Sequence, residues 1–184
     1  MINPNHLSLV SLAFAFLAGF FFTLQPAYFL LLGCVMVAMN GLFDALDGEV
    51  ARITQKESKR GDFVDHVIDR YADVFILAGI AIGAYCSLFV GLFAVIGVML
   101  ASYMGTQAQA LGLRREYRGI LGRADRLALL TIVPAIQYVL IQANRDFAND
   151  ILGFSLIGWM MIYFGIAGNA TALQRAYKIW KSLA

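Results

Sequence analysis

The sequence predicts an all-α integral membrane protein with six transmembrane helices and both termini in the cytoplasm. Hydrophobic residues make up 60% of the 184 residues and charged residues only 14%, whereas a soluble domain carries about 25% charged residues. Long uncharged runs recur along the chain, and each is about as long as a helix that crosses a bilayer. Almost all the basic residues fall on one side of these runs. We therefore exclude a water-soluble globule and expect one membrane domain over residues 1–184.

The helix boundaries follow from breaks in the uncharged runs. No acid or base occurs from Met1 to Phe43, and the Gln25-Pro26 pair divides this stretch in two, because proline interrupts a helix. The forty uncharged residues from Val74 to Leu113 are too many for one span and divide near Cys86-Ser87. Two further apolar runs complete the chain. Helices are predicted at about residues 7–24, 27–53, 61–86, 88–112, 124–143 and 150–178.

The orientation follows from the basic residues. With six spans, Arg145 alone falls on one side. The other thirteen share the opposite side: Arg52, Lys56, Lys59, Arg60, Arg70, Arg114, Arg115, Arg118, Arg123, Arg126, Arg175, Lys178 and Lys181. Basic loops stay in the cytoplasm, so this face is predicted to be cytoplasmic in a multi-pass protein of the cell membrane.

The acidic residues are concentrated where a membrane helix pair should exclude them. Eight of the twelve acids lie in the second and third helices and the loop between them: Asp44, Asp47, Glu49, Glu57, Asp62, Asp65, Asp69 and Asp73. Ionisable groups inside membrane helices are costly and usually serve a function. For Glu49, Glu57 and Asp73 we favour capping or pairing with nearby bases. The other aspartates on the two helices require a different explanation.

Asp44 and Asp69 are expected at matching depth. Asp44 stands 17 residues beyond Ala27, and Asp69 stands 18 residues before Ser87. At about 1.5 Å per residue, both lie about 26 Å from the outer interface. This depth is a few ångströms inside the cytoplasmic edge of a hydrocarbon core about 30 Å thick.

Helical spacing places these acids on two facing stripes. Asp44, Asp47 and Ala51 share one face of the second helix, and Asp65 and Asp69 share a face of the third. Four converging carboxylates would repel one another without a cation. Mg²⁺ and Mn²⁺ prefer oxygen ligands, so one such ion or a pair is predicted. Small residues on the stripe leave room for a ligand, and Arg52 could face a phosphate.

The pattern Asp44-x-x-Asp47-Gly48-x-x-Ala51-Arg52, eight residues, then Gly61-x-x-x-Asp65-x-x-x-Asp69 resembles the signature of the CDP-alcohol phosphatidyltransferase family. That resemblance implies transfer of a phosphatidyl or archaetidyl group from a CDP-linked lipid to a small alcohol, with release of CMP. It implies that Asp44, Asp47, Asp65 and Asp69 form the site of two Mg²⁺ or Mn²⁺ ions, with Asp69 also acting as general base. It also implies a set of nucleotide contacts: Asn5, Gly48, Ala51, Arg52 and Gly61.

A basic stretch suggests the acceptor. Residues 119–126 are similar to a segment of the family members that use inositol phosphate. This similarity implies that Arg118, Arg123 and Arg126, joined by Arg175, bind the acceptor's phosphate. Anchoring at the cytoplasmic surface explains Arg123 and Arg126 equally well.

Two rival functions use the same carboxylates. An intramembrane prenyltransferase also places Asp-rich helices and Mg²⁺ around a pyrophosphate, but it needs more spans and more widely separated motifs. A divalent-cation carrier would place its acids nearer the bilayer midplane. Nucleic-acid, dinucleotide and P-loop signatures are absent from the sequence, so nucleic acid is not an expected partner.

The remaining signals are weak. Cys34 and Cys86 lack the spacing of a metal site or disulfide framework and are expected to be small buried residues. Gly79-x-x-x-Gly83 permits close helix packing, either at a homodimer face or within the bundle. His66 beside Asp65 could tune the site or be a bystander.

Overall fold

Six α-helices form the described part of the chain. A computed structural model describes residues 4–54, 58–114, 116, 119–143 and 152–183, without the side chains of Pro4 and Asn5. The helices are α1 (Pro4–Thr23), α2 (Phe29–Ile53), α3 (Lys59–Ile82), α4 (Leu88–Ala110), α5 (Arg123–Gln142) and α6 (Leu156–Leu183). The all-α prediction is confirmed.

Five of the six helices are long and apolar enough to cross a membrane, namely α1, α2, α4, α5 and α6. The exception is α3, which has 24 residues but carries charged residues along its first half. Large apolar side chains cover much of the outer surface, and Phe89 is 86% exposed. A lipid-facing surface accounts for this exposure because lipid tails solvate such side chains.

Three predicted boundaries are wrong by four residues or more: the end of the third helix and both ends of the sixth, which continues to Leu183 rather than to residue 178. The first two corrections have a local cause. The third helix ends at Ile82 rather than near residue 86, because Gly83 adopts an extended backbone with φ −67° and ψ 167°. The sixth helix begins at Leu156 rather than near residue 150. The Ser155 hydroxyl accepts the N–H of Gly158 at 3.0 Å, which is the hydrogen bond of a helix N-cap.

Close approach between α1 and α3 depends on glycine. A Cβ atom on Gly79 would lie 2.2 Å from the carbonyl oxygen of Gly19, and one on Gly83 would lie 2.4 Å from that of Phe22. Any larger residue would force the two helices apart. The Gly79-x-x-x-Gly83 motif therefore serves packing within the bundle.

Helix α1 packs against both α2 and α3, and α4 packs against α6. Buried Phe164 and Met161 of α6 lie in the same apolar cluster as Val98 of α4. Between α1 and α2, the Asn40 amide donates to the carbonyl oxygen of Ser11 at 3.0 Å and to its hydroxyl at 2.8 Å. These contacts fix the α1–α2–α3 group that carries the acidic stripes.

Candidate active site

Three carboxylates meet at one end of the bundle. Asp44 and Asp47 of α2 and Asp65 of α3 each offer an oxygen, and these oxygens all lie within 4.8 Å of one another. Asp47 is buried, whereas Asp44 and Asp65 are partly exposed. An all-oxygen donor set of this spacing fits a divalent cation such as Mg²⁺ or Mn²⁺. Three of the four carboxylates predicted to converge from helical spacing therefore do so, and Asp69 is not in this group.

A hydroxyl on α1 orients one member of this group. Ser8 is buried, and its Oγ donates a hydrogen bond of 2.6 Å to Oδ2 of Asp47. Neighbouring hydrogen bonds of this kind fix the direction of metal-binding carboxylates. Ser8 could not be predicted from the sequence, because a serine in an apolar helix gives no signal until α1 is placed beside α2.

Asp69 lies next to this cluster but makes different contacts. Its side chain is 7% exposed, and its Oδ1 lies 2.5 Å from Nη2 of Arg123. The same Nη2 is 3.0 Å from Oδ1 of Asp44. Arg123 therefore joins the acids of α2 and α3 from the first turn of α5.

A second set of charges lies one helical turn deeper. Oδ2 of Asp73 is 3.0 Å from Nη2 of Arg126 and 3.4 Å from Nη2 of Arg70. Arg70 also approaches Oδ2 of Asp69, at 3.6 Å. Asp73 does pair with bases, as expected, but its partners line a cavity. Its position four residues after Asp69 was the available sequence signal, because it continues the Asp65/Asp69 stripe.

A cavity of about 300 Å³ opens beside these charges. Asp65 and Asp69 line one part of it, with His66 between them in sequence. Its basic lining residues come from three helices: Arg70, Arg123, Arg126 and Arg175. Of the four predicted acceptor-binding arginines, Arg123, Arg126 and Arg175 are therefore brought together. Arg118 lies outside the described residues.

The residues predicted to contact the nucleotide are more scattered than the arginines predicted to bind the acceptor. Nothing lies within 4 Å of the position of a Cβ on Gly48, so this face of α2 has open space. Arg52 is exposed and pairs with Glu49 at 3.2 Å. The N–H of Gly61 donates to the Ser58 hydroxyl at 3.0 Å, which caps α3. Ala51 is partly buried on the same helix as Gly48, and the side chain of Asn5 lies outside the described residues.

The opposite end of the bundle has another cavity, of about 560 Å³. Its described lining, which includes Tyr85, Cys86, Phe154 and Ser155, contains no charged side chain. Burial raises the pKa of the Cys86 thiol to about 11, so the thiolate is scarce at neutral pH. Among the described residues, the lining of this cavity offers no carboxylate for a hard cation and no guanidinium or ammonium group for a phosphate.

Comparisons with known proteins identify one family. The model for CDP-alcohol phosphatidyltransferases matches residues 1–169. An archaetidylinositol phosphate synthase of Pyrococcus horikoshii is 35% identical over 182 residues, covering 99% of this chain and 86% of that protein. Another, of Methanothermobacter thermautotrophicus, is 29% identical over 158 residues, covering 84% of this chain and 72% of that protein.

The fold also occurs in a solved structure, the phosphatidylinositol phosphate synthase PgsA1 of Mycobacterium tuberculosis. With CDP-DAG bound, PgsA1 superposes with a TM-score of 0.75, covering 97% of this chain and 87% of that one. In complex with manganese and citrate the TM-score is 0.76, and the match covers 97% of this chain and 83% of that one. The sequence identity is 22% in both cases.

Proposed function

The chain belongs to the CDP-alcohol phosphatidyltransferase family, and from this premise we propose that its acceptor is a small alcohol phosphate, with inositol phosphate the leading candidate. It is a multi-pass membrane enzyme of phospholipid synthesis that transfers a lipid-linked phosphoryl group from a CDP-linked lipid. The donor proposed is a phosphatidyl or archaetidyl CDP-lipid, and CMP is the other product. This reaction requires a divalent cation and sites for two charged substrates.

One observation carries the proposal: acidic and basic walls adjoin at the same cavity. Asp65 and Asp69 line it together with Arg126 and Arg175. Carboxylates recruit the cation that a pyrophosphate needs, whereas arginines bind a phosphate directly through paired N–H groups. An uncharged alcohol would gain nothing from several arginines, so the basic wall favours a phosphorylated acceptor.

The metal-binding residues proposed are Asp44, Asp47 and Asp65, with two ions as the expected complement. When bound, the ions would offset the negative charge of the pyrophosphate and of the departing CMP. Asp69 would orient the acceptor hydroxyl and take its proton as general base. The new bond joins the acceptor oxygen to the lipid-bearing phosphorus, and the bond from that phosphorus to the CMP oxygen breaks.

The nucleotide is proposed to lie along the open face of α2. Gly48 and Ala51 leave space for it there, and Arg52 can exchange its exposed partner Glu49 for a phosphate. Asn5 and Gly61 complete the proposed contacts through the family resemblance. The lipid tail of the donor would remain in the bilayer beside the bundle.

We also propose that α3 spans the membrane, so that there are six spans with both termini and the site on the cytoplasmic side. Buried apolar residues such as Ile76, Leu77 and Ile80 occupy its second half. In its charged first half, Asp65, Asp69 and Arg70 line the cavity. Six spans would also place thirteen of the fourteen basic residues on one side.

The proposed function is tested by incubating purified protein with a CDP-linked lipid, Mg²⁺ and one acceptor at a time. The acceptors are inositol phosphate, glycerol phosphate, serine and free inositol, and products are identified by mass spectrometry. We expect CMP and a phosphorylated lipid product with inositol phosphate, and no product with free inositol. Preference for an uncharged alcohol would overturn the acceptor proposal. Release of inorganic pyrophosphate instead of CMP would indicate prenyl-transfer chemistry.

A further inference from the structure

We propose that Asp73 is a positioning residue for the acceptor's phosphate, acting through Arg126 and Arg70. This inference rests on the proposed function, because it concerns the same cavity. Both arginines line the cavity, whereas Asp73 stands behind them, 9% exposed. Asp73 would therefore influence the phosphate without touching it.

The geometry around Asp73 is that of a shared counter-ion. A single oxygen, Oδ2, lies 3.0 Å from Nη2 of Arg126 and 3.4 Å from Nη2 of Arg70. The two guanidinium groups come from different helices, α5 and α3, so the carboxylate fixes their separation across the cavity. Arg70 is also shared with Asp69, at 3.6 Å, so Asp73 is the link that ties Arg126 to this group of charges.

The burial of Arg126 makes this contact necessary. Its side chain is 6% exposed, so water cannot compensate its charge if Asp73 is lost. An arginine has five N–H donors, and Arg126 Nε and Arg70 Nε have no hydrogen-bond partner among the described residues. A bridge with only a structural purpose would leave fewer of these donors unused. Arg126 lines the cavity while Asp73 holds its Nη2 in place, which is the arrangement of a preorganised phosphate site.

The alternative role for Asp73 predicts the opposite effect. If its negative charge merely opposed the phosphate, removing that charge would tighten acceptor binding. If it holds the arginines in place, removing it releases two mutually repelling cations and weakens binding. Because Arg126 is buried and has an unpaired donor, we expect the loss of position to outweigh the gain in positive potential.

The test is steady-state kinetics of Asp73→Asn in the full chain. We expect the KM for inositol phosphate to rise by about thirtyfold or more, as when one partner of a buried, hydrogen-bonded charge pair is truncated. The KM for the CDP-lipid and kcat should change less than about twofold. Inorganic phosphate serves as a competitive inhibitor, and its inhibition constant should rise in parallel with the KM of the acceptor. An unchanged or lower acceptor KM would overturn the proposal.

A double variant separates positioning from general stability. Arg126→Gln alone should raise the acceptor KM, and adding Asp73→Asn should raise it little further, because the effects of residues that act through one another are not additive. Independent, additive effects would contradict the proposal. The matched control is Asp62→Asn on the same helix, where the carboxylate is 70% exposed. That change should leave all three kinetic constants as in the unaltered chain.

Two further measurements keep the outcome clear. If Asp73→Asn does not fold, Asp73→Glu replaces it; its carboxylate lies one methylene further out, and a smaller rise in acceptor KM is expected with kcat retained. An acceptor KM like that of the unaltered chain would overturn the proposal. If inorganic phosphate does not inhibit the unaltered chain, the proposed acceptor class is wrong. If phosphate inhibits that chain and Asp73→Asn equally, only the positioning role is wrong.

Discussion

Each end of the helix bundle has a cavity, and the two cavities differ most in the chemistry of their lining. The cavity beside Asp69 has a volume of about 300 Å³, and the one beside Tyr85 about 560 Å³. The smaller cavity is lined by carboxylates and guanidinium groups from several helices, whereas the described lining of the larger is uncharged. Size alone would select the wrong end. The converging charges, with their buried partners, define the site, and cavity volume does not.

The largest expected effect on activity follows the removal of divalent cations, which act at the charged end of the bundle. EDTA is expected to abolish CMP release, because the pyrophosphate then meets the three carboxylates without a compensating charge. Added Mg²⁺ or Mn²⁺ should restore the activity. The measurement is CMP formation during titration with each ion, with Ca²⁺ as a comparison. Activity that is indifferent to chelation would contradict a metal site at the charged end.

Asp69→Asn should cause the next largest loss. An amide cannot take the proton of the acceptor hydroxyl, so kcat should fall about a thousandfold, within the range for general bases. Because Asp69 lies outside the three-carboxylate cluster, Mn²⁺ binding measured by titration calorimetry should change only a few fold. Asp62→Asn, an exposed change on the same helix, serves as the control. Near-normal turnover would reject Asp69 as the base.

Ser8→Ala tests whether the α1 hydroxyl orients Asp47. Loss of its 2.6 Å hydrogen bond should raise the Mg²⁺ concentration for half-maximal activity about tenfold, as for other groups that orient metal ligands. Activity at saturating Mg²⁺ should largely recover.

The matched control is Ser11→Ala, one turn along the same helix. Ser11 pairs with Asn40 rather than with an acid, so this change should lower the midpoint of thermal unfolding without altering the metal requirement. Equal shifts in metal requirement for the two variants would show that Ser8 has only a structural role.

Ser155→Ala removes a serine hydroxyl at the uncharged end, as Ser8→Ala does at the charged end. Ser155 donates to the carbonyl oxygen of Tyr85 at 2.5 Å and caps α6 by accepting from Gly158 at 3.0 Å. Loss of this cap should cost about 1 kcal/mol of unfolding free energy and leave kcat/KM unchanged. Thermal unfolding and CMP release measured on the same preparation check both expectations. A large kinetic defect would indicate that the two ends are coupled.

The smallest effect on activity is expected from chemical labelling of Cys86. Because burial raises the pKa of its thiol to about 11, the reactive thiolate is rare at pH 7 and accumulates only as the pH rises toward that value. A water-soluble maleimide should therefore label Cys86 slowly at pH 7, faster at pH 9, and without effect on activity. Rapid labelling at pH 7 would show that the Cys86 thiol is more accessible than its burial indicates.

Several features could be predicted from the sequence because they depend on local order along one helix. Uncharged runs gave the all-α class, and the three-and-four-residue spacing of Asp44, Asp47, Asp65 and Asp69 predicted two facing stripes. The breaks near residues 86 and 150 were misplaced. Their positions depend on the extended backbone at Gly83 and the Ser155 cap, which compete with helix continuation over only a few residues.

The partners of these side chains depended on tertiary structure. Helical spacing places Asp65 and Asp69 on one face, but it does not show that Arg123 reaches Asp69 while Asp65 joins the acids of α2. Ser8 and Asp73 gained their significance in the same way, through a neighbour 39 residues away for Ser8 and one 53 residues away for Asp73. The sequence by itself determined the family, the fold class and the acidic stripes, since these are encoded in residue type and short-range period. Only the tertiary structure decided which charges neutralise one another, because electrostatic pairing depends on distance through space.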